Sequence, residues 1–170
     1  MPREKTLLRL LADDLRSLHF SALALEKDLY RLSEQIDSDN IGSLAGLIGQ
    51  INCTGFAPIE KMLRDAGITT NFPHGTGQPV LRGVLAEANG SLERADSRPI
   101  GPANAISIMR RAARYMEMYC ASIAESAFRL RLDRLALHLR AWAREWIGLE
   151  LNLNAVAARP REREAATVAA

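Results

Sequence analysis

The sequence predicts an all-α fold, a four-helix bundle with one long crossover, from three observations. Apolar residues recur in steps of three and four over long segments, one interruption is short enough for a tight hairpin, and another spans about 35 residues. A period near 3.5 marks a helix that buries one stripe against other helices. In the first segment Leu8, Leu11, Leu15, Leu18, Ala22, Leu25, Leu29, Leu32 and Ile36 keep this spacing without a slip, which predicts a single long helix. Asp37, Ser38, Asp39 and Asn40 follow. Their side chains compete for backbone hydrogen bonds and cap helix starts, so the chain turns there. The second helix is expected over residues 41–66, with Leu44, Ile48, Ile51, Phe56, Ile59 and Met62 on its buried face and Gly67 as its stop. Inside it, Pro58 lacks an amide hydrogen and crowds the Thr54 carbonyl, which with Gly55 nearby predicts a kink or a break.

Residues 68–79 are rich in Thr, Asn, Pro, Gly and Gln, and these breakers predict a loop. A short helix over residues 80–95, with Val84, Leu85, Ala88 and Leu92 on one side, makes this link a crossover. A third long helix over residues 103–127 carries Ile106, Met109, Ala113, Met116, Cys120, Ile123 and Ala127. The phase is lost at residues 128–131 and resumes with Leu132, Leu135, Leu139, Trp142, Trp146, Leu149, Leu153 and Val156. A turn between two antiparallel helices is expected there, although it contains neither Gly nor Pro. Residues 1–157 form a single bundle domain in this reading, and residues 158–170, with Arg159, Pro160 and the charge run after them, a flexible C-terminal tail. Two antiparallel helical hairpins joined by a long crossover carrying a short helix constitute the ferritin-like arrangement.

The 170 residues are 48% hydrophobic and 25% charged, the balance of one globular domain with a real core. A net charge of +2 is too small and too dispersed for a dedicated nucleic-acid or membrane surface, so neither partner is expected. No apolar run approaches the roughly 20 residues that span a bilayer. Asp13, Asp14 and several arginines interrupt the apolar part of residues 1–20, unlike the uncharged centre of a signal peptide. A cytoplasmic protein is expected, its two cysteines, Cys53 and Cys120, reduced. Each large aliphatic side chain buried contributes about 1.5–3 kcal/mol, so the stripes hold the bundle together without a metal.

A ferritin-like bundle raises the question of a carboxylate-bridged metal pair. Such a site takes a Glu from each of two helices and a Glu-x-x-His pair from each of the others. Three positions before His19, His74 and His138 stand Arg16, Asn71 and Leu135, so no Glu-x-x-His exists. What is left is an irregular or all-carboxylate site, and its candidates are Glu26, Glu117 and Glu145, beside the core positions Leu25, Met116 and Trp146. The plainer expectation sets these glutamates at the bundle edge, Glu117 paired with Arg114 or Arg110. His19, two turns before Glu26 on the same side, extends a polar patch or is a half-exposed structural histidine. As a phosphotransfer site it lacks a cation shortly after it. Cys53 and Cys120 fall mid-helix, where a thiol behaves as a small apolar group, and Trp142 and Trp146 are expected in the core. The His74 to Gly77 run lacks the Lys and the strand of a phosphate loop.

Four stretches carry a family resemblance: Ala24-Leu25-Glu26-Lys27-Asp28-Leu29, Ile59-Glu60-Lys61-Met62-Leu63-Arg64-Asp65-Ala66-Gly67, Leu81-Arg82-Gly83-Val84-Leu85-Ala86-Glu87-Ala88 and Arg114-Tyr115-Met116-Glu117. In order and spacing, over about residues 15–157, they resemble the YciF-type family. These are ferritin-like bacterial proteins, linked to stress conditions and without an assigned biochemical role. The resemblance implies metal-binding carboxylates at Glu26, Glu117 and Glu145. It also implies a degenerate site, because Cys53-Thr54-Gly55-Phe56-Ala57 stands where the family has a Glu-Thr stretch and a polar ligand, and Arg114 where it has an acidic residue. A thiol and a cation in place of carboxylates leave too few anionic oxygens to offset two metal ions in a dry core. The expectation is a non-catalytic ferritin-like bundle of stress-related role, without a cofactor, acting through protein interaction or oligomerisation, with a homodimer the simplest form. The alternative is a carboxylate-bound di-metal oxidase or iron-handling protein, binding iron or another divalent metal with His138, Cys53 or Glu60 as a further ligand.

Overall fold

The computed structural model describes residues 2–34, 39–68 and 102–168 with Gly83, Ala86 and Gly90, and side chains over residues 5–28, 30–31, 43–44, 46–68 and 104–155. Among the described residues the chain is all-helical, in four long helices: α1 (Pro2–Glu34), α2 (Asp39–Asp65), α3 (Pro102–Arg129) and α4 (Asp133–Val168). α1 packs on α2, α2 on α4, α4 on α3 and α3 on α1. This closed ring about one core is compatible with a four-helix bundle. Residue pairs run oppositely along neighbouring helices. On α1 and α2, Glu26 lies by Gly49 and His19 by Phe56. Across α2 and α4, Ile51 lies by Leu149 and Leu63 by Leu135, and α3 and α4 pair Arg114 with Glu150 and Glu125 with Arg140.

The core follows the stripes. Leu11, Leu15, Leu18, Ala22 and Leu25 of α1 are buried, as are all seven stripe positions read for α3 and Leu135, Leu139, Trp142, Trp146, Leu149 and Leu153 of α4. The buried arc of α3 is wider than one stripe, because Ala105, Ile108, Ala112 and Ala124 are buried as well. In a ring each helix faces two neighbours, and small residues on the flanks let both approach. On α2, Leu63 is buried and Met62 and Phe56 only partly. The crossover loop and its short helix, the turn at residues 35–38 and the stripe ends Leu29, Leu32, Ile36 and Val156 lie outside the described residues or side chains. Gly83, Ala86 and Gly90 are themselves helical.

The helix ends have local causes. Gly67 takes φ +73°, and the Gly67 amide donates to Arg64 O and the Ile68 amide to Leu63 O at 2.9 and 2.8 Å. This is the Schellman closure that the sequence position of Gly67 implies. The turn between α3 and α4 uses the same device without a glycine. Arg131 adopts φ +59°, the Arg131 amide donates to Phe128 O at 2.9 Å, and the Leu132 amide to Ala127 O at 3.0 Å. α2 continues unbroken through Pro58, which settles the choice between a kink and a break against the break. α4 is helical to Val168, past the 157/158 boundary read from composition.

Candidate functional site

The helical repeat that builds the core also exposes an irregularity in α2. Counting from Ile48 to Ile59, both fully buried, the intervening stripe positions hold Asn52 and Gly55 where apolar side chains are expected. Gly55 is buried, and a Cβ built on it would collide with Cε2, Nε1 and Cδ2 of the Trp142 indole. The absent side chain is what lets α4 lay its indole on the α2 backbone. The same carbonyl, Gly55 O, lies 2.6 Å from Nε2 of His138, so the imidazole donates to it and ties α4 to α2 beside the proline.

Asn52 is only 5% exposed. Its Nδ2 donates to Ala22 O on α1 at 3.0 Å, while its Oδ1 has no hydrogen-bond partner among the described residues. Around it runs a groove between α1 and α2 of about 310 Å³, lined by His19, Leu23 and Glu26 on one side and Gly49, Cys53 and Phe56 on the other. Gly49 lets the Glu26 carboxylate pack against α2, since a Cβ there would sit 3.2 Å from Glu26 Oε1. The His19 ring lies on Phe56 at a centroid distance of 4.0 Å. Burial pushes the His19 pKa down from its ordinary value, with the Glu60 carboxylate opposing, so the ring is neutral at pH 7.

That shift fixes a pH dependence. Folded His19 binds its proton less readily than unfolded His19, so its share of stability is complete above the unfolded pKa of 6.5 and is lost as the pH falls below it. Between about pH 7.5 and 5.5 the wild type is expected to lose more stability to urea than His19→Gln. Equal losses in the two proteins would assign the titration to another group.

The three glutamates named from sequence occupy three different seams. Glu26 lies against α2 at Gly49. Glu117 is paired at 3.3 Å with Arg114, whose guanidinium also holds Glu150 of α4 at 3.3 Å. Glu145 is exposed and accepts from the Thr54 hydroxyl at 3.3 Å, a proton shared with Gln50 O and Ile51 O. Among the described residues no three His, Cys, Asp or Glu side chains are grouped for a metal. Of the further ligands considered, His138 is engaged with Gly55, Cys53 is exposed on the groove rim and Glu60 is exposed on α2. Cys120 is buried in the α3 seam, and burial pushes its thiol pKa far up, which leaves it a protonated, apolar-like group. Trp142 and Trp146 are core residues whose indole N–H groups have no partner among the described residues.

No described helix is long and apolar enough to cross a membrane. Comparison with protein-family models, with curated proteins and with solved structures finds no match to the chain.

Proposed function

We propose that this chain is a ferritin-like bundle of the YciF type that acts non-catalytically, through its surface, as a homodimer. The topology is supported by direction. The pairs described above make α2 and α3 run the same way along the ring, which sets the end of α2 and the start of α3 at opposite ends of the bundle, the condition for a ferritin-like crossover. The degenerate reading of the metal site is supported by Arg114, an exposed cation that pairs with both Glu117 and Glu150. A positive charge there competes with any metal ion for the same carboxylates.

The observation that carries the surface role is a second stripe on α4. Leu137, Ala141, Arg144, Gly148, Leu151 and Ala155 recur in steps of four and three, as the buried stripe of the same helix does, but on its outer side. Leu137 is 66% exposed and Leu151 65%. An exposed apolar strip asks for a partner, and Leu137 and Leu151, seven residues to either side of Arg144 with Ala141 and Gly148 between, suit an antiparallel copy of the same helix.

Light scattering on the eluting protein is expected to give a dimer mass for the wild type and a monomer mass for Leu137→Glu/Leu151→Glu, with unchanged helical circular dichroism. A wild-type monomer would sink the dimer. Anaerobic Fe(II) addition followed by air is expected to leave the absorbance no different from buffer. About two irons per chain with an oxygen-dependent band would instead establish the di-metal oxidase alternative.

A further inference from the structure

We infer that two copies of the chain meet along α4 in opposite directions, with Gly148 of each against Ala141 of the other and each Arg144 paired to the partner's Glu145. The inference rests on the dimer reading above and adds to it the alignment of the two helices and the ion pairs that lock them.

The first observation is Gly148. A glycine inside a helix is less favourable than an alanine, so it is kept where something approaches the backbone closely. At Gly55 that neighbour is Trp142 of the same chain. A Cβ built on Gly148 meets nothing within 4 Å among the described residues, so no approach from within the chain calls for a glycine there. The half-buried residue opens outward, between Arg144 and Leu151.

The second is the symmetry of the strip. Leu137 and Leu151, 66% and 65% exposed, each stand seven residues from Arg144. A two-fold axis crossing α4 at Arg144 therefore brings Leu137 onto the partner's Leu151 and Ala141 onto the partner's Gly148. Leucines meet at both ends, and the small residues between them let the helices come close.

The third is charge. The same axis sets Arg144 against Arg144 of the partner subunit, and two guanidinium groups at contact repel. Arg140, one turn earlier, is already paired with Glu125, whereas Arg144 makes no ion pair among the described residues. Glu145 is exposed, one step round the helix toward α2, where it accepts from the Thr54 hydroxyl at 3.3 Å. Rotation about an axis perpendicular to both helices keeps this flank on the same side in both copies. Each Arg144 thus lies beside the partner's Glu145, and the long side chain turns its guanidinium to that carboxylate. Two cations and two carboxylates then alternate around the axis and cancel. A second copy fits this strip because the strip itself carries both the cation and the carboxylate that neutralises it.

Exchange of charges between copies tests the lock, read as dimer mass and dissociation constant by light scattering and sedimentation of the full chain. Arg144→Glu gathers four carboxylates at the axis and Glu145→Arg four guanidiniums, so each variant alone is expected to dimerise at least about tenfold more weakly than the wild type. Mixed in equal amounts, the two variants regain both ion pairs and are expected to form a mixed dimer. Arg144→Glu/Glu145→Arg in one chain is expected to dimerise as the wild type does. Raising NaCl from about 0.05 to 0.5 M should weaken the wild-type dimer several-fold, whereas a purely apolar contact would not loosen. Gly148→Leu is expected to be monomeric with unchanged helical circular dichroism. Dimers of wild-type strength in Arg144→Glu or Gly148→Leu, or an equal mixture of the two charge variants that stays monomeric, would overturn the inference. The dimer reading would survive that outcome if Leu137→Glu/Leu151→Glu is monomeric, while a wild-type monomer would remove both. Should Glu145→Arg not fold, a wild-type dimer indifferent to salt would overturn the lock equally.

Discussion

Gly55→Ala is expected to destabilise the protein by about 3 kcal/mol, at the upper end of ordinary overpacking, and to lower its melting temperature by roughly 6–12 °C for a domain of this size. The direction is the informative part. Alanine is the better helix former by about 1 kcal/mol, so at an indifferent site the substitution would stabilise α2. At Gly55 the new methyl group enters the indole of Trp142, which is 1% exposed and enclosed by core. Neither the ring nor the helix backbone can yield without opening the α2–α4 seam, and the hydrogen bond from His138 to Gly55 O would be strained with it. Trp142→Leu in the Gly55→Ala background should recover part of the loss, a favourable coupling in a double-mutant cycle. A Gly55→Ala protein that melts with or above the wild type would show that the close approach is not what fixes the seam.

Trp146 gives the second large effect, and a contrast within one position. Trp146→Ala removes a fully buried indole and should cost about 3–5 kcal/mol in urea unfolding at unchanged m. Trp146→Phe removes less volume and also deletes an N–H that has no partner among the described residues. The relief of that desolvated donor, about 1–3 kcal/mol, offsets much of the lost packing, so the phenylalanine variant should lie within about 1 kcal/mol of the wild type. If Trp146→Phe proves nearly as damaging as the alanine, the indole N–H has a bonding partner in solution.

Much of the fold was legible because burial in a helix bundle is written as a period. Leu11 to Leu25, Met109 to Ala127 and Leu135 to Leu153 announce their faces by spacing alone. What escaped depends on a partner that spacing does not name. Nothing before Arg131 marks it as left-handed, since the turn is closed by amides reaching back to Ala127 and Phe128, not by a residue with special freedom. The reach of α4 to Val168 runs against composition, because Pro160 and the charge run resemble a tail. At the groove, Glu26 and His19 were legible as neighbours two turns apart on one helical face, while the sequence spacing alone does not point to Asn52. The available signal was its place on the stripe: a polar residue four after Ile48 and seven before Ile59 sits where the bundle is dry. Glu117 and Arg114 were legible as a pair by their three-residue separation, but the third member, Glu150, comes from another helix and no local spacing reveals it.

The three-residue turn at Arg131 also bears on how the chain finds its structure. α3 and α4 share the most extensive of the four helix contacts, yet only residues 130–132 separate them, whereas 36 positions lie between the end of α2 and the start of α3. Closing the shorter loop costs roughly 2 kcal/mol less chain entropy. Only four positions separate α1 from α2 as well, so it is the greater extent of its contact that makes the α3–α4 pair the natural folding nucleus, with α1–α2 docking onto it afterwards through Trp142 and Gly55. Substitutions in the α3–α4 seam, such as Cys120→Ala, should slow folding, whereas those at Ala22 or Ile48 should chiefly hasten unfolding.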